Sequence, residues 1–134
     1  MDTEDLYRRG LELRQKMFGA QAVEKRTQAL GEFGAPLQRI INAYVYGDVW
    51  SRGGLPGRER SIAMVAMTAA LNRPAELKVH LHGALANGCS AEEIREVLLL
   101  VTLYCGIPAG NDAHRVAVEV LEEAEAAAAR APQN

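Results

Sequence analysis

The segment Ile62-Ala-Met-Val-Ala-Met-Thr-Ala-Ala-Leu71 is apolar almost all the way round. A helix built from it has no polar face to offer water and is expected to be buried on every side. The covering elements are expected to be helices as well. Of the 134 residues, 22 are alanine and 15 leucine, while aromatics make up only 5%. Few β-branched runs occur, and such a composition favours helix over sheet. The length fits one domain over residues 1–134 and leaves no room for two. The expectation is an all-α subunit of six to seven helices, with alanine-rich surfaces that let neighbours approach closely and make an oligomer plausible for so small a chain.

Breakers and caps divide the rest. A first helix is predicted from about Thr3 to Phe18, with Leu6, Leu13 and Met17 at helical spacing and Gly19 as its stop. A more polar segment from Gln21 to Leu30 ends at Gly31 and Gly34. Pro36 opens a third helix as its first residue, with Leu37, Ile40, Ile41, Tyr44 and Val45 as its apolar stripe. Ser51-Arg-Gly-Gly-Leu-Pro-Gly57 is the clear loop. Asn72-Arg-Pro ends the apolar segment, and Pro74 starts a helix that stops near Asn87, with Gly88 suited to the left-handed cap. Ser90-Ala-Glu-Glu93 is a capping box for the next helix, which runs through Ile94, Val97, Leu98, Val101 and Leu103 to Gly106-Ile-Pro. The last helix is predicted from Ala109 to Ala129, with fraying after it.

Several function classes are set aside by simple features. A formal net charge of −2 gives no basic face for nucleic acid. No apolar stretch approaches the roughly 18 residues that a membrane span requires. The acidic start Met1-Asp-Thr-Glu-Asp is no secretory leader, and two cysteines are too few for a disulfide framework, so a cytoplasmic location is expected. Cys89 and Cys105 lie on different segments without a Cys-x-x-Cys spacing and are expected to be packing residues. His80-x-His82 diverges on a helix, so no metal site is expected. No phosphate-binding glycine loop or Gly-x-Ser-x-Gly elbow occurs. Chemistry by this chain would use acid–base groups, without metal or nucleotide.

Two stretches can supply such groups. On the helix from Pro74, Leu77, Leu81, Ala84 and Leu85 share the core face, while Arg73, Glu76, His80 and Gly83 line the flank beside it. Glu76 and His80 are four apart, so the carboxylate can orient the imidazole for proton transfer, or the two can form a plain ion pair on a solvated face. His82 points to the other flank, near Lys78, as a surface or interface histidine. The second stretch, Tyr46-Gly-Asp-Val-Trp-Ser-Arg52, holds the only tryptophan, Trp50, two residues before Arg52. A ring wall and a guanidinium suit a planar anion; a tryptophan anchoring a loop beside an exposed arginine fits equally. Arg58 and Arg60 precede the apolar helix, and one of them can add positive charge.

These residues also carry a resemblance. Tyr46-Gly-Asp-Val-Trp-Ser-Arg, Arg58-Glu-Arg-Ser, Ala-Leu-Asn-Arg-Pro-Ala-Glu-Leu with His80, Gly83-Ala-Leu, Glu92-Glu-Ile-Arg-Glu-Val-Leu and Tyr104-Cys-Gly-Ile-Pro-Ala follow in the order and spacing of the 4-carboxymuconolactone decarboxylase family. The N-terminal Tyr7-Arg-Arg-Gly-Leu-Glu-Leu-Arg segment resembles it too, so nearly the whole chain is covered. The resemblance implies an alkylhydroperoxidase D-like helical subunit that assembles as a trimer or hexamer. The redox branch of that fold has a Cys-x-x-Cys pair just ahead of the histidine matching His80. Here those positions read Arg73-Pro-Ala-Glu76, and Ser61 stands where that branch has a glutamate.

What the decarboxylase branch implies is a carboxy-lyase of aromatic catabolism that needs no cofactor. It converts 4-carboxymuconolactone, a small anionic lactone, to the 3-oxoadipate enol-lactone. On this reading His80 transfers the proton and Glu76 positions it. Arg73, Arg52 and Arg60 hold carboxylates or the enolate oxygen, and Trp50 with Tyr46 forms the wall. A paralogue acting on another small oxo-acid or lactone, and a non-catalytic oligomeric binding protein, are the alternatives.

Overall fold

The structure, a computed structural model, describes residues 1–131, and among these every regular element is helical. The expected fraying of the last residues concerns positions beyond 131, outside the described residues. By its own contacts the chain divides into two compact units, Met1–Gly57 and the part from Arg58 onward.

In the first unit, α1 (Thr3–Phe18) and α2 (Ala20–Leu30) are followed by α3 (Ala35–Ile40), which continues into a π-helical segment, Ile41–Val49. Asp2 caps α1 by accepting the Asp5 N–H at 2.9 Å, and Glu4 and Asp5 place negative charge at the helix start. Gly19 separates α1 from α2 at φ 90°, a conformation that side chains oppose. The defining contact is the crossing of α1 over the π segment. A Cβ on Gly10 would lie 1.6 Å from the Asn42 carbonyl oxygen, and a Cβ on Gly47 would lie 2.1 Å from that of Leu6. Backbone meets backbone at both points, so only glycine fits.

That crossing overturns part of the expected pattern. Leu37, Ile40, Tyr44 and Val45 were expected to line one apolar stripe, yet all four are exposed. The buried side consists of Gln38, Asn42, Ala43, Tyr46 and Gly47, spaced by fours and fives. The face is already set in α3, where Gln38 and not Leu37 is buried. Beyond it an i→i+5 ladder, closing with the Trp50 N–H on the Val45 carbonyl at 2.8 Å, puts more residues into each turn than the α-helical 3.6.

The second unit holds α4 (Gly57–Ala70, whose first residue closes the first unit), α5 (Pro74–Ala86), α6 (Ala91–Cys105) and α7 (Ile107–Arg130). Val65, Leu77, Leu81, Ile94, Leu98 and Val120 anchor its core. Local chemistry sets the boundaries. Asn72 turns the chain at φ 56°, which asparagine tolerates, and Pro74 then enters in the first turn of α5. Gly88 takes φ 95° after α5, and the capping box of Ser90 and Glu93 opens α6 with both of its hydrogen bonds formed, at 3.1 and 3.0 Å. α7 starts at Ile107 rather than Ala109, because Pro108 is accommodated in a first turn that needs no N–H from it. Where α6 and α7 meet, a Cβ on Gly110 would lie 1.9 Å from Thr102 Oγ1.

Three expectations fail in this unit. α4 is not buried all round: Ser61, Val65, Thr68 and Ala69 are buried, but Met67 and Leu71 are exposed. Leu103 does not join the α6 core stripe and is also exposed. Of the cysteines, Cys89 packs in the core while Cys105 is exposed. The helical period predicts which residues share a face, and this chain has fewer covering elements than apolar faces.

Gly10→Ala is expected to destabilise the protein by about 3 kcal/mol or more, since its methyl meets backbone that cannot rotate away. Gly53→Ala, with open space around it, is the control expected to stay near the wild type. Urea denaturation of the pair measures the difference.

Candidate active site

In the first unit the π segment presents Tyr46, buried, with its ring stacked on Trp50 at 5.5 Å between centroids and 26° between planes. Phe18 meets the Tyr46 ring edge-on at 5.9 Å, and the Arg14 guanidinium lies 5.7 Å from its centroid. The end of the segment is pinned twice. Ser51 Oγ donates to the Tyr46 carbonyl at 2.6 Å, and Arg9 Nη2 donates to the Ser51 carbonyl at 2.7 Å. Trp50, half-buried, therefore closes a helix rather than riding on the open loop. Arg52 is exposed and grips Asp48 with two hydrogen bonds, 3.0 and 3.3 Å. That grip holds the Asp48 carboxyl below its ordinary value and raises the Arg52 guanidinium.

The second unit supplies the imidazole. Arg73 is the exposed residue before Pro74, kept out of helical conformation by the proline ring, and Glu76 is exposed in the first turn of α5. His80 follows one turn later and is only 6% exposed, on the helix that also buries Leu77, Leu81, Gly83 and Ala84. A histidine lying open on a solvated face is thus not what this fold builds. Arg60, half-buried, lies in the first turn of α4. Its neighbour Arg58 has a different task. Arg58 pairs with Glu59 at 3.2 Å and with Glu93, and its carbonyl faces the Cys89 thiol at 3.8 Å. Burial pushes that thiol's pKa up, so Cys89 is a packing group and no nucleophile. Asn87 Nδ2 donates to the buried Ser61 hydroxyl at 2.9 Å, tying the end of α5 to α4.

A cavity beside Arg73, lined by Thr68, Leu77 and Asp112, has a volume of about 10 Å³. That is room for one water and far too little for a lactone. A roomier apolar groove of about 220 Å³, lined by Ile94, Leu98, Ala117 and Leu121, involves none of the predicted residues. Among the described residues no group of three His, Cys, Asp or Glu side chains could hold a metal ion, and no helix is long and apolar enough to cross a membrane.

Sequence reasoning missed the buried Arg14 that meets the Tyr46 ring, and the two amides that hold it. Arg14, Gln38 and Asn42 are all buried, and Arg14 Nη1 donates to Gln38 Oε1 at 3.0 Å and to Asn42 Oδ1 at 2.8 Å. Burial, the largest influence, lowers the pKa of the Arg14 guanidinium from its ordinary value. The available signal was the spacing of Gly10, Arg14 and Met17, which puts the arginine on the buried face of α1.

The chain is thus an all-helical protein whose first unit carries an aromatic stack and whose second carries a buried imidazole. Comparison with known proteins gives the family. Residues 35–119 match the carboxymuconolactone decarboxylase family, a stretch drawn from both units, and the chain belongs to that family. It is 37% identical over 123 residues to the 4-carboxymuconolactone decarboxylase of Acinetobacter baylyi, covering 92% of each chain. It is 31% identical over 124 residues to the nitrosuccinic acid decarboxylase of Metarhizium robertsii, covering 90% of this chain and 87% of that one.

The helix that carries His80 is held to α7 by charge. Lys78 Nζ donates to Glu119 at 2.8 Å and Glu123 at 2.9 Å, and His82 Nε2 lies 3.0 Å from the other oxygen of Glu123. Hydrogen bonding to Lys78, with a smaller contribution from His82, lowers the Glu123 carboxyl, and hydrogen bonds to Glu119 first and then Glu123 raise Lys78. A lowered carboxyl stabilises the fold above the ordinary glutamate value of 4.5 and loses that contribution as the pH falls through the folded-state value. Glu123→Gln is therefore expected to lower the melting temperature by about 1–3 °C at neutral pH, a small effect because the cluster is exposed. The gap to wild type should close in acid and shrink in high salt, as read by thermal melts across pH.

Proposed function

We propose that this protein is a carboxy-lyase that decarboxylates 4-carboxymuconolactone to the 3-oxoadipate enol-lactone in the protocatechuate branch of aromatic catabolism, without a cofactor. The observation that carries the reading is His80: a buried imidazole on the helix that Arg73 precedes and Glu76 opens, in a chain 37% identical over 92% of its length to a decarboxylase of that name.

The substrate is its own electron sink. When the bond from the ring carbon to the carboxylate breaks, the electron pair moves through the ring double bond, and negative charge gathers on the lactone carbonyl oxygen. A proton then reaches the ring carbon beside that carbonyl, and carbon dioxide leaves. The protein has to orient the ring, stabilise the enolate oxygen and deliver the proton. In this reading His80 delivers it and is reprotonated from water, with Glu76 as positioning residue. Arg73, Arg52 and Arg60 bind the carboxylates and the enolate oxygen, and Trp50 with Tyr46 is the wall for the ring. The 31% identity to a nitrosuccinic acid decarboxylase favours, as second reading, a paralogue that decarboxylates a different small acid.

His80→Ala is expected to lower kcat on freshly prepared lactone roughly 100- to 10,000-fold, the usual worth of a general acid–base group. Release of carbon dioxide and appearance of the enol-lactone are the readouts. Unchanged turnover in the variant would remove His80 from the chemistry, and no turnover by folded wild type would leave the paralogue reading.

The working form in this reading is a cytoplasmic homo-oligomer, a trimer or hexamer. Support comes from the exposed Leu103, Tyr104 and Ile107, between 73% and 81% accessible around the α6–α7 junction. Tyr104→Asp is expected to shift the mass measured by light scattering toward the 14.6 kDa monomer.

A further inference from the structure

The interior of the first unit contains a charge that the folded chain does not balance. Arg14 is 5% exposed, and both of its hydrogen-bond acceptors, Gln38 Oε1 and Asn42 Oδ1, belong to neutral amides. Its Nε is buried and, among the described residues, has no acceptor. No Asp or Glu among them pairs with it either. An arginine is almost never this deeply buried unless it is paired, because desolvating a charge is costly and hydrogen bonds or an aromatic face offset it less than an opposite charge does. Amide oxygens satisfy N–H groups without supplying that charge. A methionine or leucine would fill the same space at lower cost, so keeping a guanidinium here implies a countercharge from outside the chain.

The route to it runs through the aromatic stack. Arg14 lies against the Tyr46 ring, and Tyr46 lies against the half-buried Trp50 at the end of the π segment. We infer that Arg14 is a positioning residue for a dicarboxylate ligand. Its field, acting past Tyr46 through weakly polarisable surroundings, draws a dianion to the Trp50 wall and discriminates against a monoanion. The inference rests on the small-anion reading given above, and adds to it a residue that touches no substrate and a preference by charge. The lactone carries two carboxylates before the reaction and one after it. A site biased toward the dianion therefore holds substrate more tightly than product and helps release.

Trp50 is the only tryptophan, so its fluorescence reports binding at the wall directly. Glutarate and its monomethyl ester, a dianion and a monoanion of like shape, are titrated against wild type, Arg14→Met and Arg14→Lys. Arg14→Met should weaken glutarate binding about tenfold and the monoester about threefold, because the lost positive charge acts on two carboxylates in the first and on one in the second. Arg14→Lys, which keeps the charge and loses the planar fork, should restore the preference for glutarate. Should Arg14→Met fail to give the wild-type helical circular dichroism, Arg14→Gln, which keeps donors for Gln38 and Asn42, takes its place.

Equal weakening of both ligands would reveal a purely structural role and overturn the inference. So would wild-type binding by the neutral variant, or no glutarate binding by wild type. The two readings fail separately. Lactone turnover without an Arg14-dependent charge preference sinks this inference alone, and the preference without turnover sinks the decarboxylase reading alone.

Discussion

The first unit depends on two helical backbones touching. Gly10 and Gly47 remove the side chains that would hold α1 and the π segment apart, and the consequences follow from the geometry of each helix. One α-turn beyond Gly10 comes Arg14, which is thereby carried into the interior. Immediately before Gly47 comes Tyr46, whose ring meets that guanidinium. Gln38 and Asn42 close the gap with their amides. The aromatic stack and the buried charge beside it are thus products of one crossing. A π-helix is less favourable than an α-helix in isolation and persists where tertiary contacts over-determine it; here the contact is backbone on backbone, and the aromatic stack sits on it.

The second unit holds its imidazole by a different means. α5 is a short helix with defined ends: a proline entry after Asn72, and a left-handed exit at Gly88 followed directly by a capping box. Asn87 ties it to Ser61 on α4, and Lys78 and His82 tie it to α7. His80 therefore rides on a rod fixed at its end and along one side. A side chain on such a support is held to a narrow range of positions.

What the sequence discloses and what it conceals divide along the same line. The start of α5 and the capped start of α6 are written in local chemistry, Pro74 and the Ser90–Glu93 box, and needed no tertiary information. Helical periodicity sets Glu76 and His80 one turn apart on α5, but it does not say that His80 is buried while Glu76 and the preceding Arg73 are exposed. The π segment does not follow from periodicity, because its wider register is imposed by α1 and leaves no mark in the spacing of Leu37, Ile40 and Tyr44. Arg14 was hidden for a related reason: twelve of the fifteen basic residues are arginine, and only its helical spacing from Gly10 and Met17 separates the buried one from those on the surface. The all-apolar run at 62–71 correctly signals faces that need cover. It does not say that Val65 and Ala69 find it within the chain while Met67 and Leu71 do not.

Decarboxylation without a cofactor places its demands on charge rather than on reactive groups. The carbanion delocalises within the substrate, so the protein's task is to put positive charge where the enolate forms and to supply one proton. A chain with net charge −2 meets that need by segregation. Its carboxylates are drawn into pairs with Arg58, Lys78 and Arg52, while Arg14 is kept away from any carboxylate by burial against amides and rings. The same arrangement suits any substrate that loses a carboxylate to an adjoining electron sink. That is a physical reason why one chain can be similar both to a relative named for a lactone and to one named for a nitro acid.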